Sequence, residues 1–138
     1  MAREHCPFRK TILGGTCNCT LASKTHLPTG CSISCSDDRA WDDCEHVLNE
    51  MISAAQFVLQ YVDGTDSLTH GKLMKVQHGG LLGLARLVYG EQVSHVDDIR
   101  ALVNAAQRTY TSLSLIPCAE LLTDISGWQL KRRRSKLP

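Results

Sequence analysis

Six of the seven cysteines in this 138-residue chain, Cys6, Cys17, Cys19, Cys31, Cys35 and Cys44, lie within the first 44 residues, and Cys118 stands alone far downstream. Residues 1–36 otherwise carry Gly, Thr, Ser and Pro with little hydrophobic periodicity. A segment of that kind buries too little apolar surface to offset its own conformational entropy, and a bound metal supplies what a small core does not. The opening Met1–Pro7 is charged and polar, without the apolar stretch of a secretory leader. This points to a reducing, cytoplasmic setting, where clustered cysteines read as metal ligands before disulfides. In an oxidising compartment the same even set of six would read as a disulfide framework.

The spacing is Cys6-x10-Cys17-x-Cys19-x11-Cys31-x3-Cys35-x8-Cys44. Zinc ribbons use two C-x2-C knuckles, whose tight turns aim two sulfurs at one tetrahedral ion. No C-x2-C occurs in this chain, which leaves room for an iron–sulfur cluster, although neither common ferredoxin spacing is present. The two tight pairs, Cys17 with Cys19 and Cys31 with Cys35, are the first choice of ligands. Cys6 and Cys44 are the candidates to replace one of them. Cys44 as a ligand would tie the irregular lobe to the helical body. Cys118 reads as a buried core thiol.

The texture changes at Ser36. Ser36 reads as an N-cap, with Asp37 and Asp38 in the first helical turn. Trp41, Cys44, Val47, Leu48, Met51, Ala55, Val58, Leu59 and Val62 then recur at steps of three and four up to Gly64. A second helix is expected from about Asp66 or Ser67 to Gly90, and a third from a capping box at Ser94 and Asp97. Pro117 breaks the third and opens a short fourth through Leu121, Leu122, Ile125 and Leu130. No strand pair stands out. The expected fold is all-α: a small bundle of three to four helices at 37–130, an irregular cysteine-rich metal-binding lobe at 1–36, and a basic tail at 131–138.

Within the second helix Gly79, Gly80 and Gly83 fall in five residues, each costing a helix about 1 kcal/mol relative to Ala. Such a stripe admits either a close-packed helix or a cofactor, with His78 or Gln77 beside it as ligand or donor. His78, Gly79 and Gly80 are therefore candidate additional ligands or cofactor contacts. His5 and His46 neighbour Cys6 and Cys44, which allows mixed ligation. No dinucleotide fingerprint, phosphate loop, nucleophile elbow or catalytic carboxylate pair occurs, so no enzymatic activity is inferred.

The net charge of +1 hides an asymmetry. Lys131, Arg132, Arg133, Arg134 and Lys136 hold five of the 15 basic residues, leaving 10 against 14 acidic residues, about −4, for the rest. The tail suits phosphate or an acidic partner. No apolar run approaches the roughly 18 residues that a membrane helix needs. Three function classes are compatible with these features. The first is a small cytosolic protein holding an iron–sulfur cluster, for electron transfer or as an accessory subunit of a redox complex. The second is a zinc- or cluster-stabilised regulator that binds nucleic acid through its tail. The third is a zinc-stapled adaptor that binds a protein partner.

Overall fold

The computed structural model describes residues 5–28, 30–56 and 70–129. Chain order is α1 (Arg9–Leu13), β1 (Ala22–Leu27), β2 (Gly30–Cys35), α2 (Asp38–Ala55), α3 (His70–Tyr89), α4 (Ile99–Tyr110), two 3₁₀ turns (Leu113–Leu115 and Cys118–Leu121) and α5 (Leu122–Gly127). The all-α expectation is therefore overturned: helix dominates, but β1 and β2 form a two-stranded antiparallel sheet. Its register runs from Ala22 opposite Cys35 to Leu27 opposite Gly30. The strand signal lies in Cys31-Ser32-Ile33-Ser34-Cys35, where alternate residues point to one face. Ile33 and Cys35 are buried, while Cys31 is exposed near the hairpin turn.

Helix starts differ by a few residues from the expected caps, for a common reason. Ser36 closes the hairpin by donating its N–H to the Leu21 carbonyl (2.9 Å), so Asp37 caps α2 instead, accepting from the Ala40 N–H at 3.1 Å. That bond holds the Asp37 carboxyl below its usual range. Ser94 does not open α4 either. Residues around Val96 are extended and pair with the segment Thr16–Asn18, and Asp98 becomes the cap, accepting from the Arg100 N–H at 3.3 Å. Gly90 stops α3 as expected, with φ +85° and its N–H on the Arg86 carbonyl. The expected stop at Gly64, the apolar positions Val58, Leu59 and Val62, the start near Asp66, Leu130 and the basic tail all lie outside the described residues.

Helix α3 is the hub, packed by α1, α2, α4 and α5. One core runs through the described residues, and the opening segment contributes Phe8, Cys17 and Ile33 to it, beside Val47, Met51, Leu84, Leu102 and Ile125. The glycine stripe explains how α5 comes so close. A Cβ at Gly79 would sit 2.5 Å from the Asp124 carbonyl oxygen and 2.6 Å from Ile125 Cα. One at Gly80 would meet Met51 Sδ at 2.5 Å, and one at Gly83 the Asp124 carboxylate at 2.7 Å. Arg86 then clamps the same Asp124 at 2.7 Å. The groove is filled by protein. Gly79→Ala should destabilise the fold by about 3 kcal/mol, since backbone on both sides must move. Gly71→Ala, where nothing lies within 4 Å, should be neutral or stabilising by about 0.5 kcal/mol. Urea unfolding of the two variants measures the difference.

Candidate functional site

Four of the cysteines lie within electrostatic reach of one another although they come from four chain segments. The Cys6 N–H donates to the Ile33 carbonyl (2.8 Å), which brings Cys6 beside β2 two residues before Cys35. Trp41, in the first turn of α2, donates its indole N–H to the His5 carbonyl (3.1 Å), and Cys44 lies about one turn further along that helix. Ala22, the register partner of Cys35, donates its N–H to the Cys19 carbonyl at 3.2 Å. The Cys19 loop is fixed from the other side as well. Thr20 donates to the Asp98 carboxylate at 3.0 Å, and Arg100 of α4 bonds Asp43, the neighbour of Cys44, at 3.0 Å. Cys6, Cys19, Cys35 and Cys44 thus share one neighbourhood, within electrostatic reach of one another in every pairing. Cys6, Cys35 and Cys44 are each 6% exposed, and Cys19 is half-buried.

The surroundings of these sulfurs are polar in a particular way. The Phe8 N–H faces the Cys6 thiol, two residues on, and the Leu21 N–H faces the Cys19 thiol with the same offset. The Arg100 N–H also faces Cys19. Backbone N–H groups aimed at sulfur favour the thiolate, the form that ligates metals. Arg9 near Cys6 and Arg100 near Cys44 work in the same direction. Burial outweighs them all. It pushes the Cys6 thiol up to about 11 from an ordinary value of 9.0, raises Cys19, and raises Cys44 furthest, with the other three thiols adding to the rise. Among the described residues, no three His, Cys, Asp or Glu side chains form a group close enough to hold a metal ion.

The other expected ligands lie elsewhere. Cys17, 1% exposed, is a core residue pinned by the bridge to Val96, its thiol beside Thr11 and pushed up to about 11 by burial. Cys31 is exposed on the hairpin, with its Sγ 3.4 Å from His26 Nδ1. Cys118 is buried in the second 3₁₀ turn and raised to about 11, chiefly by burial and then by Glu50. All seven are free thiols. His5 is exposed and lends its backbone carbonyl to Trp41. His46 pairs with Ser114 at 3.1 Å and lies 3.7 Å from Glu50, while His95 approaches Asp97 at 3.2 Å. Gly79 and Gly80 face α5 and Met51 rather than a cofactor. His78 is 1% exposed and stacked on Trp128, with ring centroids 4.2 Å apart, and Gln77 accepts from the Lys10 N–H at 3.2 Å. Sequence spacing favoured the tight pairs. The pairings that bring Cys6 and Cys44 in depend on contacts between residues far apart in the chain, and only the even spacing of small residues around Cys35 hinted at a strand.

No family model, no curated protein and no solved structure matches this chain. Among the described residues no helix is long and apolar enough to cross a membrane.

Thiols raised by burial have a consequence for the metal-free protein. The folded state holds its Cys6, Cys17 and Cys118 protons up to about 11, whereas the unfolded chain releases them near 9.0. That contribution to stability is complete below pH 9 and is lost as pH rises through 11. Melting temperature measured between pH 8 and 11 on chelator-treated protein should therefore fall. Iodoacetamide at pH 8 should label Cys31 first, and these three buried thiols at least roughly tenfold more slowly. Uniform labelling of all seven would contradict the arrangement.

Proposed function

We propose that this protein holds an iron–sulfur cluster through Cys6, Cys19, Cys35 and Cys44 and serves as a small electron carrier or accessory redox subunit. The observation that carries this reading is that four thiols from four chain segments lie within electrostatic reach of one another, with backbone N–H groups turned toward the sulfurs of Cys6 and Cys19. Clusters of this class take four cysteine thiolates, and hydrogen bonds to the sulfurs help set their reduction potential. The donor set fits the group. Four thiols that are neighbours yet do not close on a single ion suit a polynuclear centre, whose ligands surround a body rather than a point. When bound, the cluster supplies one-electron chemistry. The chain's own residues supply the rest: burial of three of the four cysteines excludes water, and the half-buried Cys19 is the side through which an electron partner would approach.

Arg9 and Arg100 offset part of the thiolate charge, and Asp98, through Thr20 and the start of α4, holds the Cys19 loop in place. Loading must displace thiol protons, so affinity should rise with pH across the neutral range. A zinc reading uses the same four cysteines, since a set of four cysteine thiolates is a common structural zinc site, but it requires them to draw together onto one ion. It would make the protein a stapled adaptor for a protein partner. The tail residues Lys131 to Lys136 lie outside the described residues and carry only the sequence argument for nucleic acid.

Anaerobic purification followed by absorbance and metal analysis tests the proposal. The expected result is a brown protein absorbing near 400 nm, with iron and sulfide lost in Cys6→Ser, Cys19→Ser, Cys35→Ser or Cys44→Ser. Cys31→Ser should keep its full content, and Cys17→Ser should keep it while losing stability. Colourless protein with one zinc lost in the same four variants would select the adaptor reading. Metal content unchanged in all four, or absent from the wild type, would overturn the site.

A further inference from the structure

Near the turn of the hairpin, Cys31 and His26 form a cross-strand pair. They are register partners in the antiparallel sheet, so their side chains leave the same face, and Cys31 Sγ lies 3.4 Å from His26 Nδ1. Both residues are exposed. The other six cysteines are buried or half-buried. A thiol open to solvent with a base in hydrogen-bond contact is the arrangement of an activated sulfur nucleophile. We propose that Cys31 is a site of reversible S-thiolation, exchanging with a small, negatively charged disulfide of the glutathione class while His26 serves as the base.

The exchange balances without a further oxidant or reductant. As Sγ attacks one sulfur of the disulfide, its proton passes to His26 Nδ1. The reagent's S–S bond breaks, and a new S–S bond joins Cys31 to one half of it. The departing thiolate takes the proton back from the imidazolium. A cysteine thiol is mostly protonated at neutral pH, so a base in contact speeds the attack. Charge selects the reagent. From Leu21 to Ser36 the chain contains no Asp or Glu, and its one Lys, Lys24, lies on the same face as His26 and Cys31. In an antiparallel pair that makes Lys24 a diagonal neighbour of Cys31, about 7–8 Å away. Helix α1, packed on β2, adds Arg9 and Lys10 and no carboxylate. The acidic residues that follow β2, Asp37 and Asp38, lie beyond its Cys35 end, the end away from Cys31. A disulfide bearing carboxylates therefore meets cations at Cys31, whereas two copies joined through Cys31 would press like charges together.

The proposal does not rest on metal binding, because Cys31 is not one of the four neighbouring thiols. Glutathione disulfide and the uncharged hydroxyethyl disulfide serve as probes at neutral pH, with wild type, His26→Gln and Lys24→Gln followed by intact mass and peptide mapping. His26 and Lys24 are exposed, so both variants should melt with the wild type. The expected result is one adduct, at Cys31, that dithiothreitol removes. Its rate of formation should fall about tenfold or more in His26→Gln with both probes. In Lys24→Gln it should fall about twofold or more with glutathione disulfide alone. An unmodified Cys31, an equal rate in His26→Gln, or faster modification of any other cysteine would overturn the proposal. So would a Cys31-linked dimer as the main product, or a Lys24→Gln variant that reacts with glutathione disulfide as fast as wild type.

Discussion

Backbone hydrogen bonds between Thr16–Asn18 and Val96–Ile99 hold the opening lobe to the helical body, and the place of the Cys19 loop among the other thiols depends on them. Val96 donates to Thr16 (3.1 Å), Asn18 donates to Val96 (2.8 Å), and Ile99 donates to Asn18 (2.7 Å). They join segments about 80 residues apart, so their loop-closure entropy is met only by what they bring together. On one side they hold Cys19 next to the start of α4. On the other they place Gly14, Gly15 and Thr16 across from His78. Asp98 adds a side-chain tie to Thr20 while capping α4, so a single carboxylate links the lobe to the helix it starts.

Buried cysteine occupies two kinds of surroundings among the described residues. Cys17 and Cys118 behave as small apolar residues, buried and protonated, as free cysteines commonly are. Cys6, Cys19, Cys35 and Cys44 are buried wholly or in part too, but each lies near three others, and backbone N–H groups turn toward two of them. Donors reach the Cys17 sulfur too, from Thr11 and the Val96 backbone, so mutual proximity is what sets the four apart. Deprotonating these thiols costs the protein desolvation energy, which a centre of the kind proposed would repay through metal–sulfur bonds. The arrangement itself favours protonated thiols.

Much of the helical body was legible from periodicity. The inward residues of α2, namely Cys44, Val47, Leu48, Met51 and Ala55, fall at the expected steps, and Gly90 ends α3. The glycine stripe announced a close approach, and the approaching partner is α5 with Met51 of α2. The hairpin was harder to see, because Cys31 and Cys35 suit a ligand pair as well as they suit one face of a strand alternating with Ser32 and Ser34. The caps slid by one residue at Asp37 and by four at Asp98. At Asp37 the nearer hydroxyl residue, Ser36, is committed to closing the hairpin; at Asp98, Val96 two residues before the cap pairs with Thr16–Asn18, and the helix starts after it.

Local chemistry written in the chain determined that cysteines would crowd the first third, that amphipathic helices would come after them, and that α3 would be approached closely at its glycines. These properties depend on residues a few positions apart, where spacing alone carries the information. Which four thiols come within electrostatic reach of one another, and that His78 is buried against Trp128, were decided only by tertiary structure. Both outcomes require segments distant in sequence to be closed against one another. No local pattern encodes the hydrogen bonds from Cys6 to Ile33 and from Val96 to Thr16 that close them.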